Sequence, residues 1–336
     1  MKAAVLILLA SLAAGAADAQ GGDRADGSVD DSVESWLVRM DHAVASISYR
    51  GTLVSTGNSR IDTMRIVHRA DDSGVRERIY ALDGPKREIL RDRDQVRWLV
   101  SGQTSIVVDN PFPTRLFPRI PLAEILGPES VYAIRAVGSD RVASRSARVI
   151  EISPTDEYRY GRRLWLDDQT AMLLRSVVFD AEGQIVEMIS FVDIELGTSI
   201  SDVELDSALN NPSSVARYQI GEKNSPAART GGVPLWMPES LPRGFRLSSV
   251  GHGFTDGKRY EHLLFSDGLS SFSIYIEPLG ESGIAEHVEA RGSMHIYVGS
   301  IDQRRVTVIG EVPAPTVRMV GRHIRRHQSP LLDLIQ

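Results

Sequence analysis

The chain has 336 residues, with 38 Lys or Arg against 44 Asp or Glu, a net charge of −6 and no cysteine. That length suggests about two domains. The acidic balance argues against a nucleic-acid binder, and without thiols neither disulfides nor cysteine chemistry can contribute. From Val233 onward the chain is neutral, with 11 basic and 11 acidic residues, so the acidic excess lies before it.

Residues 1–19 read as a secretory signal. Lys2 gives a positive start, an uncharged apolar run follows, and Ala17-Asp18-Ala19 supplies a small-x-small cleavage pattern. The run is shorter than the about 20 apolar residues that a membrane span needs. Cleavage is expected after Ala19, and with no cysteine beyond it no lipid anchor can be attached. The expected location is the periplasm. Residues 20–30 are polar and Gly-rich and read as a disordered lead-in.

A helix is predicted next. Val33, Trp36, Leu37, Met40, Ala43, Val44 and Ile47 recur at three–four spacing, and Asp31 with Glu34 fits a capping box. The period then changes to two. Strands are predicted over 49–55, 61–69, 75–82, 87–90, 96–100 and 106–108, with turns at Gly57-Asn58, around Gly74, at Asp83-Gly84-Pro85 and at Gly102. Residues 110–121 hold four prolines, which no central strand tolerates. A short helix over 122–126 follows. Strands resume over 132–137, 141–144, 148–152, 158–166, 172–180 and 185–196, the last hairpin turning at Ala181-Glu182-Gly183-Gln184. One helix on a large, curved antiparallel sheet is the simplest architecture.

The predicted organisation is a large domain over 31–209, a linker over 210–232, a small domain over 233–326 and a tail over 327–336. Within the small domain strands are expected over 260–265, 272–277, 294–298 and 305–309. A closing helix is expected over 316–326. Gly251-His252-Gly253-Phe254-Thr255-Asp256-Gly257 reads as a loop, because its spacing does not fit a dinucleotide fingerprint.

No nucleophile elbow and no phosphate-binding loop occurs. Six of the eight histidines lie beyond Val233, yet none forms a metal motif. His323 and His327, four apart, read as a basic helix end, with a weak metal site as the alternative. No catalytic residue, metal or cofactor is expected. Phe112, Leu116, Phe117 and Ile120 alternate with prolines and with Arg115 and Arg119. So much apolar surface in a loop either covers a core or lines the mouth of an apolar cavity that takes lipid, the arginines meeting phosphates at the rim.

Several segments carry a resemblance. Trp36-Leu37-Val38-Arg39-Met40, Tyr49-Arg50-Gly51-Thr52-Leu53-Val54, Met64-Arg65-Ile66-Val67-His68-Arg69 and Leu82-Asp83-Gly84-Pro85-Lys86-Arg87-Glu88 come in order. Gly138 to Ala143, Asp156 to Gly161, His262 to Leu269, Ile276-Glu277-Pro278 and Val306 to Pro313 continue it. Together they resemble the RseB/MucB family over essentially the whole mature chain. The resemblance implies a LolA/LolB-like half-open antiparallel β-barrel with helices, followed by a smaller α+β C-terminal domain. It implies a periplasmic negative regulator of an envelope-stress sigma factor. Such a protein binds the periplasmic domain of a membrane-spanning, RseA/MucA-like anti-sigma factor, shields it from site-one proteolysis and is released by lipid or lipopolysaccharide. The competing class is a periplasmic lipoprotein or lipid carrier of the LolA type; a hydrolase is a more distant third. The sequence leaves a homo-oligomer open.

Overall fold

A computed structural model describes residues 31–57, 60–92, 95–100, 105–108, 117, 120–207, 215–218, 233–255, 258–280 and 284–327. Residues 1–30, which include the segment read as a secretory signal, and most of the Pro-rich segment lie outside them.

Helix α1 (Val33–Ser46) buries Trp36, Leu37, Met40 and Ala43, the stripe expected from the spacing. Its cap falls one residue later than expected. Ser32 is the N-cap and its side chain accepts from the Ser35 N–H at 3.2 Å. Position N3 is then Ser35 and not Glu34, so no carboxylate reaches back and the capping box does not form. Trp36 is held between two guanidinia, Arg39 at 4.3 Å and Arg148 at 4.6 Å from its ring centre.

The helix lies on a 12-stranded sheet of order β12-β6-β5-β4-β3-β2-β1-β11-β10-β9-β8-β7. Its strands are β1 (Tyr49–Gly57), β2 (Arg60–Asp71), β3 (Gly74–Ala81), β4 (Arg87–Asp92), β5 (Gln95–Val100), β6 (Ser105–Val108), β7 (Tyr132–Val142), β8 (Arg145–Pro154), β9 (Gly161–Asp167), β10 (Leu173–Phe179), β11 (Ile185–Leu196) and β12 (Val215–Tyr218). All neighbours are antiparallel except β12 and β6. Strand β1 is central and pairs with β2 on one side and β11 on the other, which joins the two meanders. The edge strand β7 curls back into contact with β11 without bonding to it, so the barrel stays half-open. Leu53, Ile66, Ile79, Ile150, Leu164 and Leu173 form its core with α1.

The strands expected over 132–137 and 141–144 are one strand. Gly138, between the two expected strands, has φ +132° and sits at a bulge in the β7–β8 register. The hairpin turns instead at Ala143 and Ser144, with φ of +50° and +63°. A type I′ hairpin turn needs positive φ at both central residues, and here residues without a glycine's freedom adopt it.

After β11 the chain crosses the outer face of the sheet. Arg69 and Arg76 converge on Asp202 at 2.9 and 3.0 Å. Arg50 pairs with Glu204 at 2.9 Å, and Arg78 donates to the Glu204 carbonyl at 3.3 Å. Ile200 and Leu205 bury against Val67 beneath this strap. Beyond it, the segment read as an unstructured linker contains β12, parallel to β6.

The C-terminal part has a six-stranded sheet of order β14-β15-β16-β19-β18-β17 and a two-stranded β13–β20 ribbon. The strands are β13 (Trp236–Pro238), β14 (Arg246–Thr255), β15 (Lys258–Ser266), β16 (Ser271–Pro278), β17 (His287–Arg291), β18 (Met294–Ile301), β19 (Arg304–Gly310) and β20 (Ile324–Arg326). Of the stretch 251–257 read as a loop, Gly251 to Thr255 are strand, part of β14, and Asp256 and Gly257 lie outside the described residues. Gly253 serves close packing: a Cβ there would lie 2.3 Å from the Tyr260 ring. The closing helix, α3 (Ala314–Arg322), is shorter than expected. His323 ends it and Ile324–Arg326 pairs with β13, so His323 and His327 share no helix face. Among the described residues no His, Asp and Glu cluster could hold a metal ion, and no helix is long and apolar enough to cross a membrane.

The strap gives a pH signature. Bonds from the Ser201 backbone and then from Arg50 pull the Glu204 carboxyl down to about 2. A depressed carboxylate stabilises above its unfolded pKa, 4.5 here, and loses that contribution as pH falls through the folded value. Glu204→Gln should therefore lower the urea midpoint at pH 7, and the difference from the parent should shrink between pH 4.5 and 2.

Candidate functional site

The two sheets meet around one side chain. Arg159 lies in the loop between β8 and β9 and is 0% exposed. Asp156 shapes that loop, accepting from the Tyr158 N–H at 3.0 Å and from Arg159 Nε at 3.1 Å. The guanidinium then crosses to the C-terminal part. Nη1 donates to Asp267 Oδ2 at 2.8 Å and Nη2 to the Arg243 carbonyl at 2.6 Å. It packs over Phe245 at 4.8 Å and Tyr132 at 5.6 Å.

Asp267 is equally saturated. Tyr132 donates to its Oδ2 at 2.8 Å, while the N–H groups of Leu269 and Ser270 donate to Oδ1 at 3.0 and 2.7 Å. Burial, and then the Asp267 charge, push the Tyr132 hydroxyl well above its ordinary value, so it stays a donor. Gly244 has φ +89°, and a Cβ there would lie 3.3 Å from Val131. Thr316 of α3 ties the seam from the far side, donating to the Tyr158 carbonyl at 2.6 Å.

Beside this seam lies a cleft of about 590 Å³. One wall is the connection from α2 (Leu122–Ile125) to β7, including Gly127, Glu129 and Val131. The other is Arg243 to Ser248 with the β15–β16 turn. Arg246 and Glu129 face each other from opposite walls at 2.7 Å.

This two-part architecture has counterparts of known structure. Family models of the MucB/RseB N-terminal and C-terminal domains match residues 32–209 and 232–325. The sigma factor AlgU regulatory protein MucB of Pseudomonas aeruginosa is 31% identical over 96% of both chains. The chain belongs to the MucB/RseB family. The sigma-E factor regulatory protein RseB of Escherichia coli K12 is 23% identical, over 86% of this chain and 89% of its own. Crystal structures of MucB in complex with MucA(peri) and of MucB by itself are both 28% identical to this chain. The complex covers 89% of this chain and 100% of that one, with a TM-score of 0.69. The uncomplexed MucB covers 90% and 99%, with a TM-score of 0.59.

Of the residues expected to line a lipid mouth, Phe117 and Ile120 are each 4% exposed and belong to the core of the large domain. Phe117 tilts against Phe191 with ring centres 5.7 Å apart. Phe112, Arg115, Leu116 and Arg119 lie outside the described residues. Ile120 is followed directly by Pro121 and α2, so the Pro-rich segment leads into the wall of the cleft. The seam residues Tyr132, Arg159, Arg243 and Asp267 were not singled out from the sequence. Arg159 and Asp267 do fall within the stretches 156–161 and 262–269 that carry the MucB/RseB resemblance. No periodicity shows that those stretches touch.

Removing one partner of a fully buried ion pair strands the other. Arg159→Met should destabilise the chain by about 3–5 kcal/mol. Adding Asp267→Asn should recover part of the loss, because the unpaired charge is then gone while an oxygen still accepts from the neighbouring donors. Urea unfolding of both variants followed by tryptophan fluorescence measures the difference.

Proposed function

We propose that this chain is an exported regulatory protein whose interdomain cleft holds an extended periplasmic segment of a membrane-spanning, MucA-like anti-sigma factor. The observation that carries the reading is the open cleft beside a latched seam, in a family with a member crystallised as a MucB–MucA complex. The better fit to complexed than to uncomplexed MucB supports it, since identity and coverage are nearly equal and the TM-scores are 0.69 and 0.59. In this reading, residues 1–19 are removed after Ala19 during export.

The mechanism needs no catalysis by this chain. A site-one protease requires an extended, accessible backbone. A segment ordered inside the cleft presents none, and because a disordered segment binds at an entropic cost, its hold is reversible. Ser248 is exposed and lines the cleft. Ser248→Trp should fill it, abolish binding of the cognate anti-sigma periplasmic domain in calorimetry, and remove protection from the site-one protease. Unchanged binding would rule the cleft out.

Lipid or lipopolysaccharide release follows from the link between the Pro-rich segment and the cleft wall. An acyl chain entering beside Phe191 takes the place of Phe117, each buried CH₂ contributing about 0.8 kcal/mol. That displaces α2 and the wall carrying Glu129. Phe117→Leu weakens the resident plug while keeping it apolar. It should lower the lipopolysaccharide concentration that releases the anti-sigma domain, read by anisotropy of the labelled domain. Release at an unchanged concentration would place the lipid elsewhere. A lipid carrier would need no cleft between two lobes, so its cargo should bind equally well in the Ser248→Trp variant.

A further inference from the structure

We propose that the cleft recognises an acidic side chain of its peptide, and that Glu129 is a placeholder carboxylate which the peptide displaces. This rests on the cleft being the partner site and adds the chemistry by which it selects.

The charges on the walls are unequal in kind. Asp267 contributes no free charge, since Arg159, Tyr132 and two N–H groups already consume its lone pairs. Arg243 is different. Its carbonyl is fixed by Arg159 Nη2, so its backbone is rigid, while its side chain is exposed. Among the described residues its guanidinium has no carboxylate partner. Arg246, three residues on, opens β14 and reaches across to Glu129 at 2.7 Å.

That pair is weak. Both side chains are 77% exposed, where water screens the attraction and two long side chains must be ordered to make it. A carboxylate arriving on a peptide is better placed. Bound between Arg243 and Arg246 it meets two guanidinia, each a planar fork matched to a carboxylate. The peptide also excludes water from the contact, which strengthens it. Glu129 then swings into solvent at little cost. The walls beside these arginines, including Gly127, Gly244, Ser248 and Gly268, expose main chain and a short polar side chain, which suits an extended peptide rather than an acyl chain.

The test uses the full mature chain and 15-residue peptides tiled along the periplasmic domain of its cognate anti-sigma factor. Each peptide is made in native form and with Asp→Asn and Glu→Gln. At least one native peptide should bind, and its neutralised form should bind more weakly. Arg243→Glu should weaken the native peptide by about 10-fold or more. Glu129→Gln should tighten it by roughly 2- to 5-fold, the size of one exposed pair. A residue that simply touched the partner would not give a gain on removal. Equal binding of native and neutralised peptides overturns the inference, as does weaker or unchanged binding by Glu129→Gln. So does a Glu129→Gln gain seen for anionic phospholipid vesicles and not for peptides. If Ser248→Trp abolishes binding while Arg243→Glu and Glu129→Gln change nothing, the cleft stands as the site and the charge selection falls. If none of the three variants changes binding, the cleft itself is excluded.

Discussion

A guanidinium with no water around it must find partners for its N–H donors, and every partner it finds is fixed in place by the need. Arg159 meets that constraint by taking Asp156 from its own loop, and Asp267 and the Arg243 carbonyl from the C-terminal part. Separating the two parts would break the Arg159–Asp267 pair and the bond to the Arg243 carbonyl, leaving each charge only the partners of its own part. The desolvation of such a pair makes it a poor source of net stability but an exacting determinant of geometry. The cleft lies beside this contact: Arg243 and Gly244 line one wall, and Tyr132, on the opposite side, donates to the same carboxylate.

The rest of the large domain delivers the loop to that seam. The half-open sheet places α1 in its concave face and turns β8 into β9 through the Asp156–Arg159 loop. The strap over the outer face, held by arginines of β1, β2 and β3, carries the chain from β11 toward the far edge, where β12 joins β6. The connection between the domains is therefore anchored at both the strap and the sheet edge. On the other side, Phe117 and Ile120 sit in the core, and α2 runs from there to Glu129. Core and cleft are thus joined by a short piece of chain with a buried aromatic at one end and a surface carboxylate at the other.

The places where sequence expectation and structure differ do not share one cause. The strands expected over 132–137 and 141–144 are joined through Gly138, where the chain continues as a bulge. The stretch from Gly251 reads as a loop because its glycines fit no fingerprint, yet Gly251–Thr255 is strand, and the Tyr260 ring fills the space that a side chain on Gly253 would take. The capping box fails by one position, a matter of which hydroxyl or carboxylate reaches an N–H first. The helix ends at Arg322 because Ile324 is claimed by β13, a partner more than eighty residues earlier in the chain. The helix end is a local signal overruled by a contact distant in sequence, whereas the cap is settled within one turn, by the Ser32 side chain reaching the Ser35 N–H.

What the sequence determined by itself was whatever depends on near neighbours. The apolar stripe of α1, the alternation of most strands and the turn at Gly183 follow from periods of 3.6 and 2 and from turn chemistry. The order of familiar segments pointed to the family. Tertiary structure alone decided the site. Tyr132, Arg159, Arg243 and Asp267 are scattered over more than a hundred residues, and each looks like an ordinary surface residue in its own stretch. Only the folded chain brings them within hydrogen-bonding distance, because burial of a charge is settled by what closes over it and not by the residues on either side.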